Sequence, residues 1–179
     1  MVGALAGGAL AGGITCHLLP GGRQALLGAA VLAYAHARAQ GQGGALAPTV
    51  LTWLRAAAPV WLGGLWSSGG VPIILAALAL HGFALGLGLG VASSAGGAHG
   101  LAASALALLP GNILALPALG WLGGRAIRTA LRPGREPLPA RGYLRLGVAV
   151  LGGVAAVSLV EALLTPVVLQ TAAGVGLPL

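Results

Sequence analysis

Few side chains in this sequence are able to do chemistry, and their spacing matches no catalytic arrangement. The chain has one cysteine, four histidines and two acidic residues, and it contains neither aspartate nor lysine. His81 and His99 are eighteen residues apart with no cysteine or aspartate beside them, so the spacing does not favour a metal site. Serine and histidine occur without an acidic partner in an order typical of a nucleophilic triad. We predict that the protein is not an enzyme and that it uses no cofactor and no metal.

Glu161 is the charged residue most deeply set in an apolar segment, which reads VSLVEALLTPVVL. A carboxylate within a membrane helix is costly, and it faces protein, water or a transport route. Pro166 follows in the same segment and frees a backbone carbonyl near it. Two interpretations stay open, a structural pairing with another polar side chain and a functional role. In the structural interpretation, an amide of the same shape would keep the hydrogen bonds.

Asn112 lies between two prolines in the segment LLPGNILALP. Pro110 and Pro117 each lack a backbone donor, so each removes a hydrogen bond from a helix. We predict a kinked or broken helix whose freed backbone groups are covered by protein or line a watery cavity. Such breaks build substrate sites in transporters, and they also occur as simple kinks.

Three glycines at four-residue spacing follow Pro72 and mark one side of a predicted helix, at Gly82, Gly86 and Gly90. Small residues at this spacing let another helix backbone approach closely. The row predicts either packing within the chain or contact with the membrane helix of a partner.

The elements that must hold these residues are membrane helices. Of the 179 residues, 58% are hydrophobic and 6% are charged, which is far from the balance of a soluble domain. The net charge of +7 comes from nine arginines and the two glutamates. We interpret the arginines as topology signals rather than as a nucleic-acid-binding surface. The composition predicts an all-α, polytopic transmembrane bundle that forms a single domain over residues 1–179.

A membrane-spanning helix needs about 20 apolar residues, and this length divides the chain into about five spans. Turn signals at residues 67–72 and 93–97 separate the central ones. The predicted spans are residues 2–19, 50–67, 71–92, 98–124 and 144–169. The fourth contains the two prolines, and it is the one expected to be kinked or broken. The first lacks the basic amino-terminal region of a cleaved signal peptide, so we expect it to be retained.

The segment 22–40 is too polar for a span, but its apolar residues from Leu26 to Tyr34 share one helical face. It predicts a helix at the membrane interface. Six of the nine arginines lie in the loop 124–145, and short basic loops stay in the cytoplasm. The loop and the amino end are therefore predicted inside, and the interfacial helix and the carboxyl end outside.

These ordered segments resemble a known family of bacterial polytopic membrane proteins, the stage II sporulation protein M family. The most specific likeness is a Leu-Pro-x-Asn-Ile unit followed by a second proline, formed here by Leu109, Pro110, Asn112, Ile113 and Pro117. Residues 65–90 and the Glu-Ala and Thr-Pro pairs between Glu161 and Pro166 also match. A kinked or broken fourth span is therefore expected as a feature of the fold.

The resemblance implies a non-enzymatic scaffold that acts in engulfment during endospore formation. Such a scaffold lies in the bacterial plasma membrane at the sporulation septum, and it holds a membrane-anchored peptidoglycan amidase and a lytic transglycosylase. Its partners would be these hydrolases and membrane lipid, without nucleic acid, and a homo-oligomer is compatible with the role. The residues expected to serve packing or partner contact are Pro72, Gly82, Gly86, Gly90, Pro110, Asn112, Pro117, Glu161 and Pro166.

A second function stays open on the same residues. An interrupted fourth span and an intramembrane carboxylate at Glu161 are also typical of a transport or permease subunit.

Overall fold

The computed structural model describes residues 1–40, 46–66, 69–132 and 140–174, and every regular element in these ranges is an α-helix. The helices are α1 (Val2–Leu18), α2 (Gly21–Ala39), α3 (Leu46–Gly63), α4 (Gly70–Ala130) and α5 (Ala140–Gly174). Two of them, α4 and the Arg141–Gly174 part of α5, are long and apolar enough to cross a membrane, and α1 is a shorter apolar helix. The all-α fold is confirmed, whereas five membrane crossings stay a prediction.

The α4 helix is a hairpin whose two legs, residues 70–96 and 98–130, run antiparallel. The chain reverses at Gly97, the one residue inside α4 with non-helical dihedrals (φ 58°, ψ −141°). Only glycine adopts this backbone conformation without strain. The legs meet where His81 Nε2 lies 3.4 Å from Asn112 Oδ1. The reversal therefore falls at the last residue of the turn predicted at 93–97, since residues 93–96 continue the first leg as helix. The predicted segments 71–92 and 98–124 lie within the two legs.

The α1 helix packs along the first leg of α4 through glycine. A Cβ at Gly82 or Gly86 would meet the carbonyl groups of Leu5 and Ala9, and a Cβ at Gly8 would meet the carbonyl of Ala79. Backbones this close leave no room for larger side chains. The row at residues 82, 86 and 90 thus packs within the chain, as one of its two interpretations expected.

The α2 helix lies across the tip of the α4 hairpin. Near its start, Gly28 approaches Val91 on the first leg. Near its end, Ala35 packs with Ala107 on the second leg and with Leu169 of α5. Its outward face carries the exposed side chains Leu26, Leu27 and Tyr34. The position of α2 at the membrane interface stays a prediction.

The main core lies between α3, both legs of α4 and α5. Its buried side chains include Trp53 and Val60 of α3, Ile74 and Leu78 of the first leg, Leu119 and Leu122 of the second leg, and Val154 and Val157 of α5. At one end of this core the Tyr143 hydroxyl donates to the Trp61 carbonyl. The two aromatic rings stack with their centroids 5.7 Å apart. One face of α3 thus packs against the hairpin and the last helix, while the opposite face is exposed.

The fourth span is predicted to be kinked or broken, and the structure shows it unbroken. The second leg of α4 continues through Pro110 and Pro117, and Gly97 is the only residue within α4 that leaves helical dihedrals. Each proline removes one backbone hydrogen bond, and the bonds on either side still hold the helix. Asn112 does not interrupt it either, because its Nδ2 donates to the Leu108 carbonyl at 2.9 Å. A kink without a break stays a prediction.

The other predicted prolines also lie within helices. Pro72 is the third residue of α4, in the first turn, where a backbone donor has no partner within the helix. Pro166 lies inside α5, where it leaves the Ala162 carbonyl without its usual donor.

Candidate functional site

A buried ion pair joins α2 to α5. Arg38 Nη2 lies 2.7 Å from Glu161 Oε1, and the two side chains are 3% and 12% exposed. Charges removed from water in this way are costly unless each is paired and its remaining hydrogen-bonding atoms are satisfied. Both the pairing and the neighbouring hydrogen bonds therefore decide what this site does.

The second oxygen of Glu161 is held by α3 and faces the backbone of α4. Trp53 Nε1 donates to Oε2 at 2.7 Å. A Cβ at Gly111 would lie 2.5 Å from the same oxygen and 2.9 Å from the Trp53 ring. Glycine at position 111 thus makes the space that the carboxylate and the indole occupy.

The guanidinium of Arg38 has further partners on its own helix and on α3. Its Nε and Nη2 donate to the Tyr34 hydroxyl at 2.9 and 2.7 Å, and Nη2 also donates to Thr49 Oγ1 at 3.2 Å. Nη1 is buried without a hydrogen-bond partner in the described part of the chain. The arginine is therefore embedded in protein, although it lies near the end of a helix with an exposed apolar face.

Asn112 is connected to this site through aromatic contacts. It faces His81 across the α4 hairpin, and the His81 ring lies 5.5 Å from the Trp53 ring between centroids. Trp53 thus touches both polar groups, the Glu161 carboxylate on one side and the histidine on the other. The site ties α2, α3, α5 and both legs of α4 together.

The structure brings together only some of the residues expected to matter. Glu161 accepts a hydrogen bond from Trp53, and Asn112 contacts His81, whose ring lies beside Trp53. The glycines 82, 86 and 90 lie along α1, away from the ion pair. Pro72 lies at the opposite end of the first leg from Gly97. Glu161 and Asn112 therefore belong to a polar region around Trp53, and the three glycines belong to a seam beside α1.

Sequence reasoning missed Arg38, Trp53 and Gly111 as members of the site. Arg38 falls within the predicted interfacial helix, and its four-residue spacing from Tyr34 is the one signal that could have indicated a local partner for the guanidinium. Gly111 could have been found from its place directly before Asn112 in the proline segment. Trp53 carries no sequence signal, because its role depends on α5 reaching α3.

The arrangement is suited to holding helices together. Within residues 1–40, 46–66, 69–132 and 140–174, no group of three or more His, Cys, Asp or Glu side chains could bind a metal ion. The carboxylate of Glu161 is engaged at both oxygens. An apolar cavity of about 90 Å³ lies next to Trp53 and is lined by residues such as Ala115, Leu119 and Val154.

Comparisons with known proteins identify no relative of this chain. No protein-family model matches it, no curated protein matches it, and no solved structure matches it. The function is therefore argued from the site, the fold and the sequence motifs.

Proposed function

We propose that this chain is a multi-pass membrane protein that acts as a non-enzymatic scaffold. In this arrangement α1, α3, the two legs of α4 and α5 cross the bilayer, and α2 lies at the outer interface. The observation that carries the proposal is the engagement of Glu161 by side chains from α2 and α3. A carboxylate used to fix helices is what a rigid platform requires.

The membrane placement is supported by composition and by the direction of the helices. Two helices have the length and apolar character of membrane spans. The amino-terminal Met1 lies against Gly123 and Gly124, next to the arginine-rich segment. At the opposite end of the bundle, Gln170 near the end of α5 donates to the Ala39 carbonyl. This polarity agrees with a cytoplasmic amino end and an external carboxyl end.

We further propose that the scaffold serves the engulfment complex of sporulation, at the septum. The support is the proline-asparagine unit around Asn112 and the Glu-Ala and Thr-Pro pairs after it along the chain, which resemble the stage II sporulation protein M family. The partners would be the membrane-anchored peptidoglycan amidase and lytic transglycosylase, which carry the chemistry.

The transport alternative loses one of its two supports. It depended on a broken fourth span and on an available carboxylate at Glu161, and the second leg of α4 is unbroken. The cavity beside Trp53 is lined by apolar side chains, so an ion passing there would lose its hydration without polar compensation.

Co-purification tests the scaffold. Full-length protein solubilised in mild detergent from sporulating cells should retain both hydrolases, and alkaline carbonate should leave it in the membrane fraction. An unrelated polytopic protein with the same tag is the control. Carbonate extraction of the chain would contradict the membrane placement, and a carbonate-resistant chain that retains neither hydrolase would contradict the scaffold role.

A further inference from the structure

We propose that the groove between α3 and the first leg of α4 is a docking site for a partner membrane helix that carries a carboxylate at mid-depth, with Arg55 as its counter-charge. This inference rests on the membrane placement proposed above and names the chemistry of one partner surface. The groove encloses about 510 Å³ and is lined by Thr52, Arg55, Ala56, Pro59, Ile73, Ala76, Ala77, Leu80 and His81.

Arg55 is an exposed cation on the side of a predominantly apolar helix. It has no hydrogen bond, ion pair or ring contact with any residue in the described ranges. Arg38 of α2, by contrast, is paired with Glu161 and donates to the Tyr34 hydroxyl. Among the described residues that line the groove, Arg55 is therefore an unpaired cation beside mostly apolar side chains.

The position of Arg55 along α3 makes this charge costly in a bilayer. The residue is eight positions before Gly63 and nine after Leu46, a helix rise of about 12 Å and about 14 Å. The hydrocarbon layer is about 30 Å thick, so the backbone at position 55 lies inside this layer when α3 spans the membrane as proposed. An arginine at such a depth lies against an anion, a watery cavity or another protein.

The backbone at the same place is also incomplete. Pro59 lies inside α3 and has no N–H to donate to the carbonyl of Arg55. The guanidinium needs an acceptor such as a carboxylate, whereas this carbonyl needs a donor such as a protonated carboxyl group or an amide. Lipid tails supply neither.

The small side chains of the groove favour a helix as the occupant. Ala56, Ala76 and Ala77 let a second backbone approach closely, which places a side chain of that helix beside Arg55. A second copy of this chain does not fit the charge. Its acidic residues are Glu161, which is buried and paired, and Glu136, which lies in sequence among the arginines of the predicted surface loop.

The test uses the full-length chain in phosphatidylcholine vesicles with a synthetic helix of leucine and alanine as the probe. One probe carries a single Glu at its centre, and a matched probe carries Gln. We expect energy transfer to show that the Glu probe binds about tenfold more tightly than the Gln probe. The Arg55→Gln variant should bind the two probes equally. Arg23→Gln, a change at an exposed arginine on α2, should keep the tenfold preference.

Three results would overturn the inference. They are equal binding of both probes to the folded wild-type chain, an unchanged preference in Arg55→Gln, and a loss in Arg23→Gln of the same size. A further experiment uses vesicles that contain phosphatidylglycerol and measures whether the chain retains this anionic lipid. Retention of that lipid by wild type but not by Arg55→Gln, without a preference between probes, would make the occupant a lipid headgroup and reject the helix. Carbonate extraction distinguishes these outcomes from failure of the membrane placement itself.

Discussion

At the scale of single residues, the pairing of Arg38 with Glu161 changes what a conservative substitution does. From the sequence, an amide at position 161 would be expected to keep the hydrogen bonds of the carboxylate. In the structure both carboxylate oxygens accept from donors, Arg38 on one side and Trp53 on the other. An amide presents one of these donors with another N–H and leaves the arginine charge unbalanced.

Glu161→Gln should therefore destabilise the protein, by about 3–5 kcal/mol, because it leaves a buried charge without its partner. The double change of Arg38→Met with Glu161→Leu should recover part of that loss, since apolar replacement of a whole buried pair is often neutral, while Trp53 Nε1 loses its acceptor. Thermal unfolding in detergent, followed by helix content, measures both variants. Hydrolase capture by the stable double variant is expected under the scaffold proposal. A stable double variant without capture would show that the charges act on partners.

Gly111 gives a second test at this scale. Gly111→Ala should destabilise the protein by about 1–3 kcal/mol, because the new methyl group collides with Glu161 and Trp53. Gly120→Ala in the same leg is the matched control, since a Cβ there meets nothing within 4 Å, and it should be neutral or slightly stabilising. Equal unfolding temperatures for the two variants would contradict the close packing at position 111.

At the scale of elements, the seam between α1 and the first leg of α4 depends on glycine. Gly86→Leu should separate the two helices and lower the amount of folded protein, because its side chain would enter the backbone of Ala9. Gly88→Leu is the control two residues away, where the space is open, and it should accumulate normally. Membrane abundance with gel filtration compares them. A Gly86→Leu variant as abundant and monodisperse as Gly88→Leu would show that the seam tolerates separation.

The elements also show what a sequence can and cannot predict. Apolar length and turn residues located the helices but not all their bounds, since α4 continues six residues past the predicted end at 124 and α5 begins at Ala140 rather than at 144. The reversal at Gly97 falls at the end of the predicted turn, where serine and glycine interrupt the apolar pattern. The state of the second leg of α4 was not predictable from its prolines. A proline in a sequence indicates that one backbone hydrogen bond of the helix is missing. Whether the helix then bends or breaks depends on the packing around it. The ion pair was equally hidden, because nothing local links Arg38 to a residue on the last helix.

At the scale of the whole molecule, the arrangement predicts opposite locations for two sites. In a Cys16→Ala background, an impermeant thiol reagent applied to intact cells should label the Gly174→Cys variant and not the Leu131→Cys variant. Leu131 follows α4 and is exposed, and Gly174 ends α5, so both sites are accessible once the membrane is opened. Permeabilised cells should therefore label both. The reverse pattern in intact cells would invert the orientation inferred from the arginines.

The distance along the chain between the two charges determines when the bundle can be completed. Arg38 and Glu161 are 123 residues apart, and a ribosome adding about 5–20 residues per second needs about 6–25 s to travel between them. During that interval α2 already exists, but the carboxylate that neutralises its arginine has not been synthesised. A chain released before α5 therefore carries an unbalanced Arg38 charge near the hairpin tip. The synthesis of α5 supplies the carboxylate that fixes α2 in place.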